Sequence, residues 1–552
     1  MEWSKELEAR WQQLAEEVMI GMKEWRLQHP KATFREIEAA LDERLARVRA
    51  RMLEDVALAS AAADVSSASQ AERPQCPNCG NTMESRGQDT RKLTTNYNQT
   101  VTLRRSYATC PVCGTGFSPL DEELKLLPGS FTPSLVESAV RLGTWMPFLP
   151  TAKMLAHFTK VEISKAIVRR DTEKAGQAYV EVQTRQLEAL EKELPESPPG
   201  PPVQQVSVDG AYVPLRGKDE WAEVKTLAIG TVKEPILNKE GEWEIHAKEV
   251  SYFSRLADHK TFGRLATIET HRRGTEKAGV VCGVNDGADW EQKFLDLHRP
   301  DAVRILDWGH AAEYVVKAGQ AVFGAGASAC SEWLGTQLHE LRHGDPEKVL
   351  SDLRGLKKGL VVEEGGESSP SAEGLEVVAG SLDYLEKRWE QIQYAEFVAK
   401  GYPIGSGMVE SANKLVVEAR LKGSGMHWAR ENVNPMVALR TVACSDRWEE
   451  AWPQISERLR QQAKESAERR RGERRTAKET MVVEPSIGQE NQKQMTELST
   501  TVGPTAMEPI LAQAGLEPTT CSSIPAANHP WRRMRIGKAI WAGPRPTVAA
   551  ET

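Results

Sequence analysis

The sequence predicts a multidomain protein, α+β in part and α/β in its centre, built on one mixed sheet with an α-helical insertion. Three observations predict it. Two Cys-x-x-Cys pairs, Cys76/Cys79 and Cys110/Cys113, bracket a Thr-, Tyr- and Val-rich stretch of strand character. The run Pro195 to Pro202 cannot continue a helix, and beyond it the apolar period changes from helical to strand-like. From Ala311 to Lys400 the helical period returns. A chain of 552 residues has room for roughly three or four domains.

Taken in order, residues 1–72 read as helix. Thr33 and Glu36 have capping-box spacing, and Ile37, Leu41, Leu45, Val48 and Met52 then recur at helical steps. That apolar face suits packing or oligomerisation. Ala61 to Gln70 is a small-residue linker, and residues 73–120 carry the cysteine pairs. Residues 121–195 are helical; within them Pro150 to Ala156 and Val161 to Arg170 read as two short helices joined by a turn. Residues 203–310 give strands at Val203–Val208, Val224–Val232 and Ala247–Leu256, then a helix at Thr261–Ala278. A strand at Val280–Val284, a helix at Trp290–Leu297 and a strand at Ala302–Leu306 complete this part. Residues 311–400 are the helical insertion, with a loop at Glu363 to Ser371 and core tryptophans at Trp333 and Trp389. Residues 401–447 open on a Gly-rich segment leading into another helix. Residues 448–552 begin as a basic helix and become rich in Gln, Thr, Ser and Pro after Lys478, where disorder is expected.

Composition excludes several classes. With 40% hydrophobic and 27% charged residues the chain has a globular balance. No apolar run approaches the roughly 20 residues needed to span a bilayer. No signal pattern opens the chain, so a cytoplasmic address and no membrane partner are expected. Eight cysteines in such a chain point to metal or free thiols rather than a disulfide framework. A net charge of −7 argues against a protein that coats DNA nonspecifically. Charge is uneven, however: Arg469, Arg470 and Arg471, then Arg474 and Arg475, form a basic patch, and local patches decide contact with phosphates.

The cysteine pairs share a Pro after the first Cys and a Gly after the second. Each knuckle offers two thiolates from one tight turn, so Cys76, Cys79, Cys110 and Cys113 are expected to bind a structural Zn²⁺ as a zinc ribbon. Arg86, Arg91, Lys92, Arg104 and Arg105 add positive charge between the knuckles.

Two acids follow apolar strands and are each followed by Gly: Asp209 in Val206-Ser207-Val208-Asp209-Gly210 and Asp286 in Val284-Asn285-Asp286-Gly287. Acids beyond strand ends can converge on one metal. The strand and helix order matches a ribonuclease-H-like sheet, in which the first acid lies on the central first strand and the second follows the neighbouring fourth. A third acid, Glu410, lies in Gly405-Ser406-Gly407-Met408-Val409-Glu410 and shares a helix face with Asn413. Buried on a polar helix face, that acid with its amide neighbour suits metal coordination. Asp307 also follows an apolar strand and is the alternative second acid, with His310 beside it.

The segments Val206–Val213, Leu306–Tyr314 and Gly405–Lys414, with Gly425-Met426-His427-Trp428 and His529-Pro530-Trp531-Arg532-Arg533, resemble those of DDE-type insertion-sequence transposases of the ISKra group. The resemblance covers residues 70–450, and its glutamate segment is the most specific part. It implies catalysis by Asp209, Asp286 and Glu410 with Mg²⁺ or Mn²⁺, first cutting element ends and then joining them to target DNA. In similar transposases a Cys- or Asp-x-x-His motif follows the second acid, which places Asp307 and His310 as supporting residues. The partners implied are terminal inverted repeats and target DNA, bound by a homodimer or larger assembly in the nucleoid. The zinc ribbon and the paired helices of residues 121–195 would read the repeats. Lys414, Arg420 and Lys422, with Arg469, Arg470 and Arg471, are the expected phosphate contacts. Three other readings share parts of the pattern: a non-catalytic, domesticated zinc-ribbon DNA-binding protein, a ribonuclease-H-like nuclease acting on RNA or repair junctions, and a two-carboxylate glycoside hydrolase.

Overall fold

The computed structural model describes residues 5–66, 68–217, 219–237, 243–363 and 372–482. Met1–Ala477 forms one unit; of the second, Lys478–Thr552, only the end of the helix Trp448–Val482 is described. The tail expected to be disordered, the segment His529–Arg533 and nearly all of the loop expected at Glu363–Ser371 lie outside the described residues.

Thr33 starts the helix Phe34–Leu58 as its sequence predicts: its amide donates to Glu36 Oε2 at 2.7 Å, while Thr33 Oγ1 accepts from the Glu36 amide. The face that packs differs from expectation. Ala40, Ala46 and Ala50 are buried, whereas Leu41 and Leu45 remain 37% and 47% exposed. Small side chains let this helix lie close to the neighbouring strands, where Ala50 meets Leu93, Val101 and Leu103. Those strands, β1 (Glu84–Thr95) and β2 (Gln99–Thr109), pair antiparallel, and β3 (Gly116–Phe117) adds to β2.

After the short helix Pro119–Glu123 come three longer ones, Pro133–Trp145, Phe148–Thr159 and Lys165–Glu193. The expected turn is present: Lys160 takes a left-handed conformation at φ 56°, and Ser164 caps the next helix. That helix is 29 residues rather than short, and its far end carries Leu187 into the core under the central sheet.

The central sheet contains β4 (Val203–Pro214), β5 (Trp221–Val232), β8 (Ala247–Arg255), β9 (Val280–Asn285) and β10 (Val303–Leu306). A small hairpin between β5 and β8, β6 (Ile236–Leu237) with β7 (Trp243–Glu244), was not foreseen from sequence. The order is β10-β9-β4-β5-β8: β4, β5 and β8 run antiparallel in turn, and β9 and β10 run parallel to β4. The fold is thus mixed α+β with a mixed sheet.

Alternation along β4 assigns its faces. Val206 and Val208 enter a core with Phe262, Phe294 and Leu295, from the helices His259–Arg272 and Asp289–His298. Gln205, Ser207 and Asp209 therefore take the opposite face, where Gln205 Nε2 donates to the Gly405 carbonyl at 3.0 Å. On that side Cys282, Val284, Ile305 and Leu306 form a core with the insertion helices Trp308–Phe323, Ser328–His343, Pro346–Glu363, Ala372–Glu386 and Tyr394–Ala399. Trp333 and Trp389 pack against that core but are half-buried, not fully buried as the sequence predicts for core tryptophans. Among the described residues, no helix is long and apolar enough to cross a membrane.

Candidate functional site

Asp209 lies within β4, not at its end, because β4 stops pairing on one side only. Its parallel ladder with β9 ends at Val206–Gly283, while its antiparallel ladder with β5 continues to Pro214. Beyond the split, Asn285 Oδ1 accepts the Val208 amide at 2.7 Å and holds the two strands at the point where they diverge. Asp286 follows Asn285 directly, so the two acids flank that divergence. Asn285 is 2% exposed and was missed by sequence reasoning; as the residue preceding an acid it carried no signal of its own.

The turn after Asp286 is held from three directions. Glu291 Oε2 accepts the Gly287 and Ala288 amides, both at 2.9 Å. The Tyr384 hydroxyl donates to the Asp286 carbonyl, and Arg388 donates to the Gly287 carbonyl at 2.5 Å. Gly287 is left-handed at φ +84°, the conformation its Asp-Gly step predicts. Tyr384 stacks on Tyr314 at 3.9 Å, and His310 meets both rings edge-on. The insertion thus braces the Asp286 turn through Tyr384 and Arg388, neither of which a period-based reading could single out.

Glu410 arrives on the helix Gly407–Ala412, which continues as a π-helical stretch, Asn413–Glu418. Such stretches are rare and occur often at functional sites. Glu410 is exposed, contrary to the buried position expected, and Asn413 is buried in its place. Packing explains the exchange: Val409 and Ala412 take the inward face against Ala228, which turns Glu410 outward. Asn413 Nδ2 donates to Asp209 Oδ2 at 2.8 Å, and Asn413 Oδ1 is buried without a hydrogen-bond partner.

The acids sense one another. Burial raises Asp209 above the usual carboxylate range, the Gly210 amide and Asn413 oppose it, and the charges of Glu410 and Glu223 add to it. Burial pushes Asp286 up to about 6; His310 pulls it down, and Asp209, Asp307 and Glu410 push it further up. Glu291, 2% exposed, is pushed by burial to about 8 despite its two amide donors. Several carboxylates sharing one half-buried face repel, and a cation between them relieves that repulsion. The orphaned Asn413 Oδ1 and the oxygen-only donor set fit a hard divalent cation. The side chains are not drawn into a tight cluster, however. Among the described residues, the one group of three or more potential ligands within 4.8 Å is the cysteine set.

Asp307 has a different setting. It caps the helix Trp308–Phe323, Oδ2 accepting the His310 amide at 2.8 Å, and Oδ1 accepts the Ser406 amide at 2.6 Å. Both oxygens are held by backbone, which fixes the loop leading to Glu410.

The four cysteines do converge. Sγ–Sγ separations are 3.4 Å for Cys76–Cys113 and Cys79–Cys110, and 3.6 Å for Cys79–Cys113. Thiolates about 2.3 Å from a tetrahedral zinc lie about 3.8 Å apart, so the set fits a structural zinc ion. Both knuckles close alike, with Gly80 and Gly114 at φ +71° and +73°. Contact with Thr115 lowers the Cys113 thiol to about 6, whereas the Cys110 thiol is raised to about 11, the Cys113 and Val112 amides being outweighed by burial and the neighbouring thiols.

The expected phosphate contacts divide. Lys414, Lys422, Arg469 and Arg470 are exposed and Arg471 half-exposed, with Lys422 paired to Glu418 at 2.6 Å. Arg420 is 2% exposed and does not share their surface; its Nε donates to the Gly143 carbonyl at 3.1 Å. Arg91 and Arg105 turn inward to Asp121, leaving Arg86 and Lys92 exposed on β1 and Arg104 exposed on β2. The side chains of Arg474 and Arg475 lie outside the described residues.

No family model matches the chain, and no curated protein matches it significantly. The functional reading therefore rests on the motifs and on this geometry.

Proposed function

We propose that the chain is a DNA transposase of an insertion sequence, cutting element ends and joining them to target DNA. The observation that carries the reading is the placement of Asp209 on the central strand, Asp286 after its parallel neighbour, and Glu410 on a helix tied to Asp209 through Asn413. The strand order supports a ribonuclease-H-like sheet, with residues 308–399 as its helical insertion. Asp286 is the second acid in this reading because it follows β9, the parallel neighbour of β4, whereas Asp307 follows β10 at the sheet edge; Asp307 is a positioning residue whose oxygens accept the His310 and Ser406 amides.

Asp209, Asp286 and Glu410, with Asn413 Oδ1, would hold Mg²⁺ or Mn²⁺, which supplies neutralisation of phosphate charge and activation of water or a 3′-hydroxyl. The protein's own part is positional. Asn285 fixes the strand divergence, Tyr384 and Arg388 hold the Asp286 turn, and Asp307 anchors the approach to Glu410. The cysteine domain, as a zinc ribbon, and the helices Phe148–Thr159 and Lys165–Glu193 would engage the terminal repeats of two element ends held by a homodimer or larger assembly.

Strand transfer tests the reading: a labelled duplex with a pre-cut element end is incubated with supercoiled plasmid and Mg²⁺ or Mn²⁺. Covalent joining to the plasmid is expected. End binding without joining or cutting in either metal would favour a non-catalytic DNA-binding protein, which the loose spacing of the acids also permits.

A further inference from the structure

Buried arginines normally face a carboxylate. Arg420 does not. Its guanidinium lies 4.7 Å from the Phe148 ring and 5.2 Å from the Trp428 ring, beside a second buried arginine, Arg440. Among the described residues no acid acts on either arginine, and Arg420 Nη2 is sealed from solvent without a hydrogen-bond partner. Burial, then the like charge of Arg440, depresses Arg420 to about 10.

Arg420 lines a pocket of about 270 Å³ where the start of the helix Lys165–Glu193, the turn after β4 and the segment 425–429 meet. Lys165, Arg169 and Arg216 also line it, against one carboxylate, Glu173. Glu173 lies 3.9 Å from Arg169, accepts from Asn432 Nδ2 at 3.0 Å, and is raised above its ordinary range by burial. The walls are tied together: the Arg216 amide donates to the Trp428 carbonyl at 2.8 Å. The helix contributes its N-terminal end, where backbone amides and the dipole favour anions.

We propose that this pocket seats a backbone phosphate of duplex DNA, an inference that rests on the DNA-binding part of the functional reading. Lys165, Arg169 and Arg216 are the exposed groups that contact the phosphate, and Arg420 is a buried positive charge behind the pocket that attracts it without touching it. The site lies where the paired helices of residues 148–193 adjoin the central sheet, so one phosphate would register the DNA against both.

The test uses the full chain and fluorescence anisotropy of a labelled duplex over a salt series. Arg169→Ala/Arg216→Ala removes two exposed rim charges and leaves the buried core intact, which an unchanged melting temperature verifies. The double variant should bind about tenfold more weakly on every duplex sequence, with the slope of log K against log salt shallower by about one. An unchanged slope in the folded double variant overturns the proposal. A second arm compares inorganic phosphate with chloride at matched ionic strength. A phosphate-induced rise in melting temperature confined to wild type, together with weakened DNA binding, supports the pocket; the same rise with DNA binding unchanged assigns it to free phosphate and overturns the DNA proposal. If wild type binds no DNA at any salt, the DNA reading itself fails; the phosphate arm then reports whether an anion pocket exists without it.

Discussion

Asn413 Nδ2 donates to Asp209 Oδ2 across 2.8 Å, so the helix that brings Glu410 is joined directly to the central strand. The other amide atom, Oδ1, is buried and unpartnered beside the same carboxylate. Asn413→Ala should reduce DNA cleavage at least tenfold while leaving duplex affinity unchanged. Anisotropy titration and single-turnover cleavage on the same preparation separate the two effects.

Asp307 and Asp286 should have opposite stability signatures. Asp307→Ala removes a helix cap and leaves the Ser406 amide without its acceptor, at a cost of about 2–4 kcal/mol. Asp286→Asn removes a half-buried carboxylate crowded by like charges and should leave stability unchanged or raise it by up to about 1 kcal/mol. Urea denaturation of both variants checks the pair.

Glu291 sets a pH dependence. Its ordinary value is 4.5 and its folded value about 8, so between these the folded state keeps a proton that the unfolded state releases. This group's stabilisation is therefore full below about pH 4.5 and lost as pH rises through about 8, with a limiting slope of about 1.4 kcal/mol per pH unit. Glu291→Gln keeps an acceptor for the Gly287 and Ala288 amides without titrating. The stability of wild type minus that of the variant should decline over this window in denaturant melts at stepped pH. A flat difference would show that Glu291 is ionised in the folded state.

Removal of zinc should act on the cysteine domain and spare the sheet. Cys113→Ser, or a strong chelator, is expected to release one zinc per chain and weaken duplex binding, because a domain with so small a core depends on its metal. Hydrogen exchange should quicken over residues 76–117 and remain slow over 203–214.

Much of the fold was legible because its signals are local. Val203, Val224, Ala247, Val280 and Ala302 each lie at or within a few residues of a strand start, and the run from Pro195 to Pro202 separates a helix from the sheet. The cysteine knuckles were legible for the same reason: ligand spacing and turn chemistry sit within five residues. Long-range contacts were not. Asp-Gly commonly marks a turn and so predicts a strand end at Asp209, yet pairing with Thr226 carries β4 past it. Arg420 read as a surface cation until Phe148 and Trp428, distant from one another in the chain, enclosed it. Glu291 and Asn285 gave no sequence signal, because their roles depend on which amides a fold presents to them.

The most direct measurement is cleavage of a labelled duplex carrying the element's flanking end, with Mg²⁺ or Mn²⁺, by wild type and by Asp209→Ala, Asp286→Ala, Asp307→Ala and Glu410→Ala. The account predicts metal-dependent cutting at the element boundary by wild type, a loss of at least 100-fold in the Asp209, Asp286 and Glu410 variants, and substantial activity in whatever fraction of Asp307→Ala remains folded. Full activity in Asp286→Ala with none in folded Asp307→Ala would contradict the acid assignment, and absence of cutting by wild type in both metals would contradict the catalytic reading altogether.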